Sequence, residues 1–145
     1  MKVIITPPEL AGAVWPVIRP FVDRVVAKCR GRRTAFDTLR ELLAGETVLW
    51  VIYDEKADAT VGFATGRICR YDDFSLLGVE LVGGDGLDSW EDPLMETLTA
   101  FAKDQGCSGL EGYGRGAAWA RKLRRKYNWR PVFTTVELLF EEDEK

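Results

Sequence analysis

The sequence contains no histidine, and this absence removes a large class of chemistry from consideration. Ser-His-Asp and Cys-His hydrolases need an imidazole as general base, and many zinc sites need an imidazole ligand. Any catalysis must therefore use carboxylates, tyrosine, lysine, arginine, cysteine, hydroxyl groups or the backbone. We expect no metal site.

Cysteine is scarce as well, with Cys29, Cys69 and Cys107 as the only three. They form no C-x-x-C pair, and their odd number favours reduced thiols in an intracellular protein over a disulfide framework. No apolar run approaches the ~18 residues of a membrane-spanning helix, and the apolar run at the N-terminus is too short for a signal peptide. We expect a soluble, cytoplasmic protein with no membrane partner.

Neither positive nor negative charge dominates, since the sequence has 20 Lys and Arg residues and 23 Asp and Glu residues, for a net charge of -3. No overall field therefore draws the protein onto nucleic acid. The 46% of hydrophobic residues excludes a disordered chain, and 145 residues are enough for one domain with a continuous core. We predict one domain over residues 1–140 and a solvated acidic tail over 141–145.

Hydrophobic periodicity and turn residues predict the order β-α-α-β-β-β-α-β-α-β. The predicted strands are 2–6, 48–53, 60–70, 75–82, 108–113 and 132–140, and the predicted helices are 9–28, 34 to Gly45, 89 to near Gly106, and 117–127. Pro16 and Pro20 predict two pieces or a kink in the first helix. Thr34, with Asp37 three residues later, is typical of a capping box. The order implies an α/β fold with a mixed sheet and helices on both faces.

This order, together with a Gly-Gly-Asp-Gly break at 83–86 before a helix and Asn-Trp at 128–129 after the last helix, resembles the GNAT-type acyltransferase superfamily over nearly the whole chain. The resemblance implies that a glycine turn and a helix N-terminus hold the pyrophosphate of acetyl-CoA. Backbone N–H groups and the positive end of the helix dipole form such an anion site. The candidate cofactor-binding residues are Val82, Gly83, Gly84 and Gly86.

The turn departs from the family's basic-x-x-Gly-x-Gly/Ala pattern because it contains no Lys or Arg. Its acidic residues are Asp85, Asp88, Glu91 and Asp92. A helix N-terminus favours an anion by ~0.3–1 kcal/mol. One carboxylate about 4 Å from a phosphate opposes it by about 1 kcal/mol in water and about 4 kcal/mol at an effective dielectric constant of 20. We predict that the acids cap or cover the helix and that the balance of charge is against acetyl-CoA.

The resemblance also implies a general base on the third central strand, where Glu80 lies. In apolar surroundings its pKa would be raised and it would serve as a base near neutrality. The alternative is a solvent-facing residue, because strand alternation places it opposite Val79 and Leu81. Glu111 is a second candidate base. The family's tyrosine general acid is absent, since Arg124 occupies its position.

The last predicted helix and its exit are strongly basic. The residues are Arg115, Arg121, Lys122, Arg124, Arg125, Lys126 and Arg130. They form either a solvated helix face or a surface for an acidic protein partner at Arg121, Arg124 and Arg125. No stacking platform points to nucleic acid, because Trp119 and Tyr127 belong to the apolar stripe. One tryptophan, Trp90, follows the glycine break and is predicted to cover the cofactor groove.

Two functions remain open. The first is a binding or assembly module with a degenerate acetyl-CoA site and either a protein partner or self-association. Such proteins resemble some encoded among the morphogenesis genes of tailed bacteriophages, which implies association with the virion. The second is an acetyl-CoA-dependent N-acyltransferase with Glu80 as general base. The acidic turn and the missing tyrosine favour the first.

Overall fold

The computed structural model describes residues 1–113 and 117–140, which belong to two compact units divided at residue 113. The first unit contains β1 (Lys2–Thr6), α1 (Pro8–Val26), α2 (Ala35–Leu43), β2 (Val48–Asp54), β3 (Ala59–Arg70), β4 (Ser75–Gly84), α3 (Leu87–Asp104) and β5 (Gly109–Gly112), and the second contains α4 (Ala117–Tyr127). Arg115 and the predicted acidic tail 141–145 lie outside the described residues. That residues 1–140 form one domain stays a prediction.

The strands of the first unit form one mixed sheet in the order β1-β2-β3-β4-β5. The first four strands pair antiparallel, as short connections allow, whereas β5 joins β4 in parallel. A parallel pair needs a longer crossover, and α3 provides it. The predicted mixed α/β sheet is confirmed.

One face of the sheet packs against α1 and α2. This core contains Ala11, Trp15, Ile18, Val22, Leu42, Leu49, Val51, Phe63 and Leu81. Trp50 lies between two of these residues in β2, so alternation turns it to the opposite face. There its ring meets Phe101 of α3 edge-on, with 5.2 Å between ring centroids. Helices therefore cover both faces, as predicted.

The first helix, α1, is a single helix despite its internal prolines. Pro16 and Pro20 lie on its exposed side, whereas Ala11, Ile18 and Val22 lie on its buried side. Each proline removes one backbone hydrogen bond. Burying the apolar side holds the helix together, since each large apolar side chain contributes about 1.5–3 kcal/mol. The predicted division into two pieces is wrong, and the alternative of a kink stays a prediction.

The predicted strand at 132–140 is also wrong, because residues 128–140 have no regular secondary structure. Alternating apolar residues form a strand only where another strand satisfies their backbone N–H and C=O groups. Among residues 117–140 there is no second strand. The apolar alternation alone is therefore insufficient.

The second helix begins as predicted, with Thr34 as the N-cap. Its hydroxyl oxygen accepts a hydrogen bond from the backbone N–H of Asp37 at 3.0 Å. A Thr34→Ala variant should lose about 1 kcal/mol in the free energy of unfolding, because the N–H group loses its partner. Urea denaturation measures the change, and Thr34→Ser is the control that keeps the hydroxyl. Equal stability of the two variants would contradict the capping role.

Candidate functional site

A β-bulge in β4 sets the position of Glu80. Thr65 of β3 pairs with Leu81, but the next residue, Gly66, pairs with Val79, so Glu80 is an extra residue in β4. An extra residue breaks the strict alternation of side chains. Glu80 therefore points to the α1 and α2 side, as Leu81 does, and its side chain is 9% exposed. The predicted alternative of a solvent-facing Glu80 is wrong.

Glu80 belongs to a group of two arginines and two glutamates, here called the charge cluster: Arg33, Glu41, Arg67 and Glu80. Arg33, just before α2, donates to Glu41 at 2.7 Å and to Glu80 at 3.3 Å. Arg67 of β3 donates to the same two carboxylates at 2.9 Å and 3.3 Å. Thr47 donates its hydroxyl to Glu80 at 3.5 Å. The apolar surroundings predicted for Glu80 are not found.

The charge cluster holds the carboxylate of Glu41 in the ionised form. Burial, the largest influence, raises the pKa of Glu41, but the hydrogen bonds and charges of Arg33 and Arg67 outweigh it and hold the pKa below its ordinary value. The hydrogen bond to Glu41 in turn raises the pKa of Arg33. Two positive and two negative charges balance, so the cluster links α2, β3 and β4 without an excess carboxylate.

The partners of Glu80 were missed by sequence reasoning. Arg33 ends the basic segment Arg-Gly-Arg-Arg at 30–33, which is typical of an exposed turn, and nothing in the sequence singles out Glu41 or Arg67. The sequence does place two acidic and two basic residues on neighbouring elements. Recognising that they pair requires the strand register, which decides whether Arg67 and Glu80 lie on the same face of the sheet. That register depends on the bulge, which the sequence does not mark.

The second candidate base, Glu111, lies in a different place from Glu80. In β5 it is opposite Gly78, and its carboxylate accepts a hydrogen bond from the hydroxyl of Tyr71 at 2.5 Å. This hydrogen bond raises the pKa of Tyr71. Beside them, burial raises the pKa of the Cys69 thiol, and Glu111 adds to the effect. Both the thiol and the phenol therefore stay protonated at neutral pH.

The glycine break is shorter than the sequence indicated. Gly83 and Gly84 continue β4 and pair with β3, so only Asp85 and Gly86 connect β4 to α3. The N–H group of Asp85 donates to the carbonyl of Val61 at 2.8 Å. The connection therefore folds back onto β3 instead of forming an open loop.

The helix after this turn begins earlier than predicted, with Gly86 as the N-cap at φ 67°. No side chain among the described residues caps it, so the predicted capping by the acidic residues is wrong. Ser89 donates its hydroxyl to the carbonyl of Gly86 at 2.6 Å. Asp85 instead forms an ion pair with Arg24 of α1 at 3.1 Å, and Glu91 is buried.

Trp90 lies beneath the turn and does not cover a groove. Its side chain is 0% exposed, and its indole N–H donates to the carbonyl of Asp85 at 2.7 Å. Its ring lies so close to Gly62 that a Cβ there would be 2.7 Å from it. The predicted covering role is wrong, since Trp90 is part of the packed interior that shapes the turn.

The turn is a poor fit for the pyrophosphate of acetyl-CoA. Of the predicted cofactor residues, Val82, Gly83 and Gly84 are in the β4 ladder with β3, and Gly86 alone is in the connection. The remaining attraction is that of the α3 N-terminus, about 0.3–1 kcal/mol for an anion. The carboxylate of Asp85 lies beside it and opposes a phosphate.

Among the described strands, β5 does not pair with the whole length of β4. β5 pairs with residues 76–79 of β4, and residues 80–84 of β4 continue past the last pair, Val79 with Gly112. The backbone there has an edge that β5 does not occupy. An extended ligand with amide groups can hydrogen-bond to such an edge.

In the second unit, the basic residues of α4 line a pocket. Arg124 and Arg125 follow Arg121 by three and four residues, a spacing that places all three on one side of the helix. The pocket, of about 460 Å³, is lined by Arg121, Arg124, Arg125, Trp129, Arg130 and Pro131. We call it the arginine pocket. The sequence predicted a basic surface here but not a concave one.

Across the described residues, no group of three or more acidic or cysteine side chains is placed to hold a metal ion. Nor is any helix in that part of the chain both long and apolar enough to cross a membrane.

No protein-family model and no curated protein matches this sequence. Solved structures do match it. A ribosomal-protein-alanine N-acetyltransferase from Brucella melitensis biovar Abortus 2308 has a TM-score of 0.70 and 14% identity over 97% of this chain and 100% of that one. An aminoglycoside acetyltransferase from an uncultured soil metagenomic sample has a TM-score of 0.70 and 12% identity, with coverages of 97% and 98%.

A third match is an aminoglycoside N-acetyltransferase in complex with CoA. Its TM-score is 0.68 at 10% identity, and the match covers 97% of this chain and 94% of that one. Identities this low establish the fold alone, because one fold supports many functions. The chain has the GNAT acetyltransferase fold.

Proposed function

We propose that this protein is a binding or assembly module on the GNAT fold, with a degenerate acetyl-CoA site. The charge cluster is the observation that carries the proposal. Glu80 occupies the strand position of the family's general base, but two arginines bind its carboxylate. A general base needs a carboxylate oxygen that can reach the substrate amine, and here both oxygens of Glu80 already accept hydrogen bonds from arginines.

The β4–α3 connection supports the same proposal. It consists of two residues, and the N–H group of Asp85 is used by Val61. A pyrophosphate site needs several free backbone N–H groups and no adjacent carboxylate. Close contacts explain Gly83 and Gly84 without a cofactor, since a Cβ would lie 2.4 Å from the side chain of Val25 at Gly83 and 2.3 Å from the carbonyl oxygen of Val61 at Gly84.

We place this module in the setting that its resemblance to bacteriophage morphogenesis proteins implies, namely virion assembly through a protein partner or self-association. A module of this kind needs a stable domain and an accessible surface for its partner. The charge cluster would serve the first need, because it links α2, β3 and β4.

The second candidate is an acetyl-CoA-dependent N-acyltransferase with Glu80 as general base. It is favoured by the edge of β4 at residues 80–84, which could bind the amide groups of an extended pantetheine arm. The ion pair of Arg24 with Asp85 also offsets part of the opposing charge. In this alternative, Glu80 would have to leave Arg33 or Arg67 before it could accept a proton.

Titration calorimetry with acetyl-CoA tests the proposal. We expect no micromolar binding, because the turn offers the pyrophosphate only a helix N-terminus next to a carboxylate. An active acetyltransferase of the same fold is the positive control. Micromolar binding together with acetyl transfer to an amine, abolished by Glu80→Gln, would overturn the proposal in favour of the enzyme.

A further inference from the structure

We propose that the arginine pocket binds a cluster of carboxylates on an acidic polypeptide partner. This inference deepens the proposed function and rests on it, since it names the surface and the chemistry through which the module would hold its partner. The pocket lies entirely within the second unit, and neither Glu80 nor the glycine turn contributes to its lining.

The pocket concentrates positive charge that no ion pair among residues 117–140 balances. Its guanidinium groups belong to Arg121, Arg124, Arg125 and Arg130. Within residues 117–140, none of these four forms an ion pair with a carboxylate. Like charges three and four residues apart weaken a helix by about 0.2–0.5 kcal/mol per pair. A bound anion would relieve this repulsion.

The shape and lining of the pocket suit carboxylates on a peptide. An arginine presents a planar fork of N–H donors that matches the two oxygens of a carboxylate. Trp129 and Pro131 add an apolar wall against which the methylene groups of Glu side chains can pack. The volume of about 460 Å³ accommodates several side chains, not a single ion.

The same features favour a polypeptide over a nucleic acid. Nucleic-acid affinity comes chiefly from many phosphate contacts along an extended backbone. Here the arginines converge on one pocket with a single aromatic residue, Trp129, in place of an extended stripe with a series of stacking rings.

Fluorescence anisotropy of a labelled oligoglutamate peptide, titrated with the full chain, tests the inference. We expect saturable binding that weakens as salt is raised. The R121Q/R124Q/R125Q variant should bind about tenfold to hundredfold more weakly, because three exposed charge pairs are lost. The matched control is K28Q/R70Q/K103Q, which removes the same charge from exposed residues of the first unit. It should bind like the wild type.

Three results would overturn the inference: no binding of the peptide, an equal loss in the control variant, or displacement of the peptide by single-stranded DNA of equal charge at lower concentration. Circular dichroism establishes that both variants are folded. Acetyl-CoA calorimetry on the same samples keeps the two proposals apart. If neither the peptide nor acetyl-CoA binds, only the inference about the arginine pocket is overturned. If acetyl-CoA binds and is turned over, the proposed function is overturned.

Discussion

A Gly84→Ala variant is expected to lose about 3 kcal/mol or more in the free energy of unfolding, because a methyl group here meets backbone atoms. The residue has φ +144°, a conformation that side chains disfavour. Its Cβ would lie 2.3 Å from the carbonyl oxygen of Val61 and 2.4 Å from the Cα of Gly62. Neither atom can move without disturbing the pairing of β3 with β4. Urea denaturation followed by circular dichroism measures the loss.

Gly106→Ala is the matched control for this variant. Gly106 also has a positive φ, +77°, but no atom lies within 4 Å of the Cβ it would gain. The Gly106→Ala variant should therefore lose only about 1–2 kcal/mol in the free energy of unfolding, the cost of a side chain in a left-handed backbone conformation. Equal losses in the two variants would show that the close approach of β3 to Gly84 is not what requires glycine.

The requirement for glycine at position 84 has two possible causes, a bound cofactor or the packing of β3. Gly84 was a candidate cofactor residue, and loss of a glycine from such a turn is often attributed to loss of the ligand. Here the close approach of β3 accounts for the glycine by itself. A defect in Gly84→Ala therefore reports on folding, and acetyl-CoA binding must be measured directly on the wild type.

An Arg33→Met variant is expected to lose about 2–3 kcal/mol in the free energy of unfolding, because it leaves two largely buried carboxylates with one arginine. The side chains of Arg33 and Glu41 are 14% and 13% exposed. Arg19→Met is the control. Its ion pair with Asp23 is largely exposed, and such pairs contribute about 0–1 kcal/mol.

The double variant Arg33→Met/Glu41→Gln tests whether the loss comes from an unbalanced buried charge. It should be more stable than the sum of the two single variants predicts, because it removes one positive and one negative charge together. Simple additivity in urea denaturation would contradict coupling between Arg33 and Glu41.

The pH dependence of the free energy of unfolding is a second test of the charge cluster. The pKa of Glu41 is lowered in the folded protein, so its contribution is present above its unfolded pKa of about 4.3 and is lost as the pH falls through the folded pKa. The free energy of unfolding should therefore fall on acidification below about pH 5. The fall should be shallower in Glu41→Gln, and parallel curves for both proteins would contradict this assignment.

The cluster also changes what Glu80 means for function. By position alone, a glutamate on the third central strand resembles a general base. Its contacts with Arg33 and Arg67 make it a structural ion-pair partner, so Glu80→Gln should affect stability whether or not the protein is an enzyme. A loss of activity in that variant would need a stability control before it could be assigned to catalysis.

Much of the fold was predictable from local sequence. The aromatic and β-branched residues of β2, the spacing of apolar residues in α1 and the capping residue Thr34 are local signals that depend on neighbours within a few positions. The element order that followed was enough to predict the mixed sheet and its resemblance to the GNAT fold. Where such local signals are sufficient, the prediction holds in the structure.

The errors came from positions where distant residues decide. The third helix was predicted to begin at residue 89, because Ser89 has a side chain typical of an N-cap. It begins at Leu87 instead, and the buried Trp90 is already inside it. The predicted strand at 132–140 has the right alternation, but no second strand among residues 117–140 can satisfy its backbone groups. Neither outcome can be found from local propensity.

By itself, the sequence determined that imidazole chemistry is excluded, that the fold is mixed α/β, and that basic residues concentrate near the last helix. Only the tertiary structure decided that Glu80 is bound by two arginines, because one extra residue in β4 reverses the side-chain alternation there. It alone decided that the glycines serve strand packing, since the required clearance is set by Val61 and Gly62 of a neighbouring strand. Composition and periodicity constrain local geometry, whereas a site depends on which distant side chains share one face of the sheet.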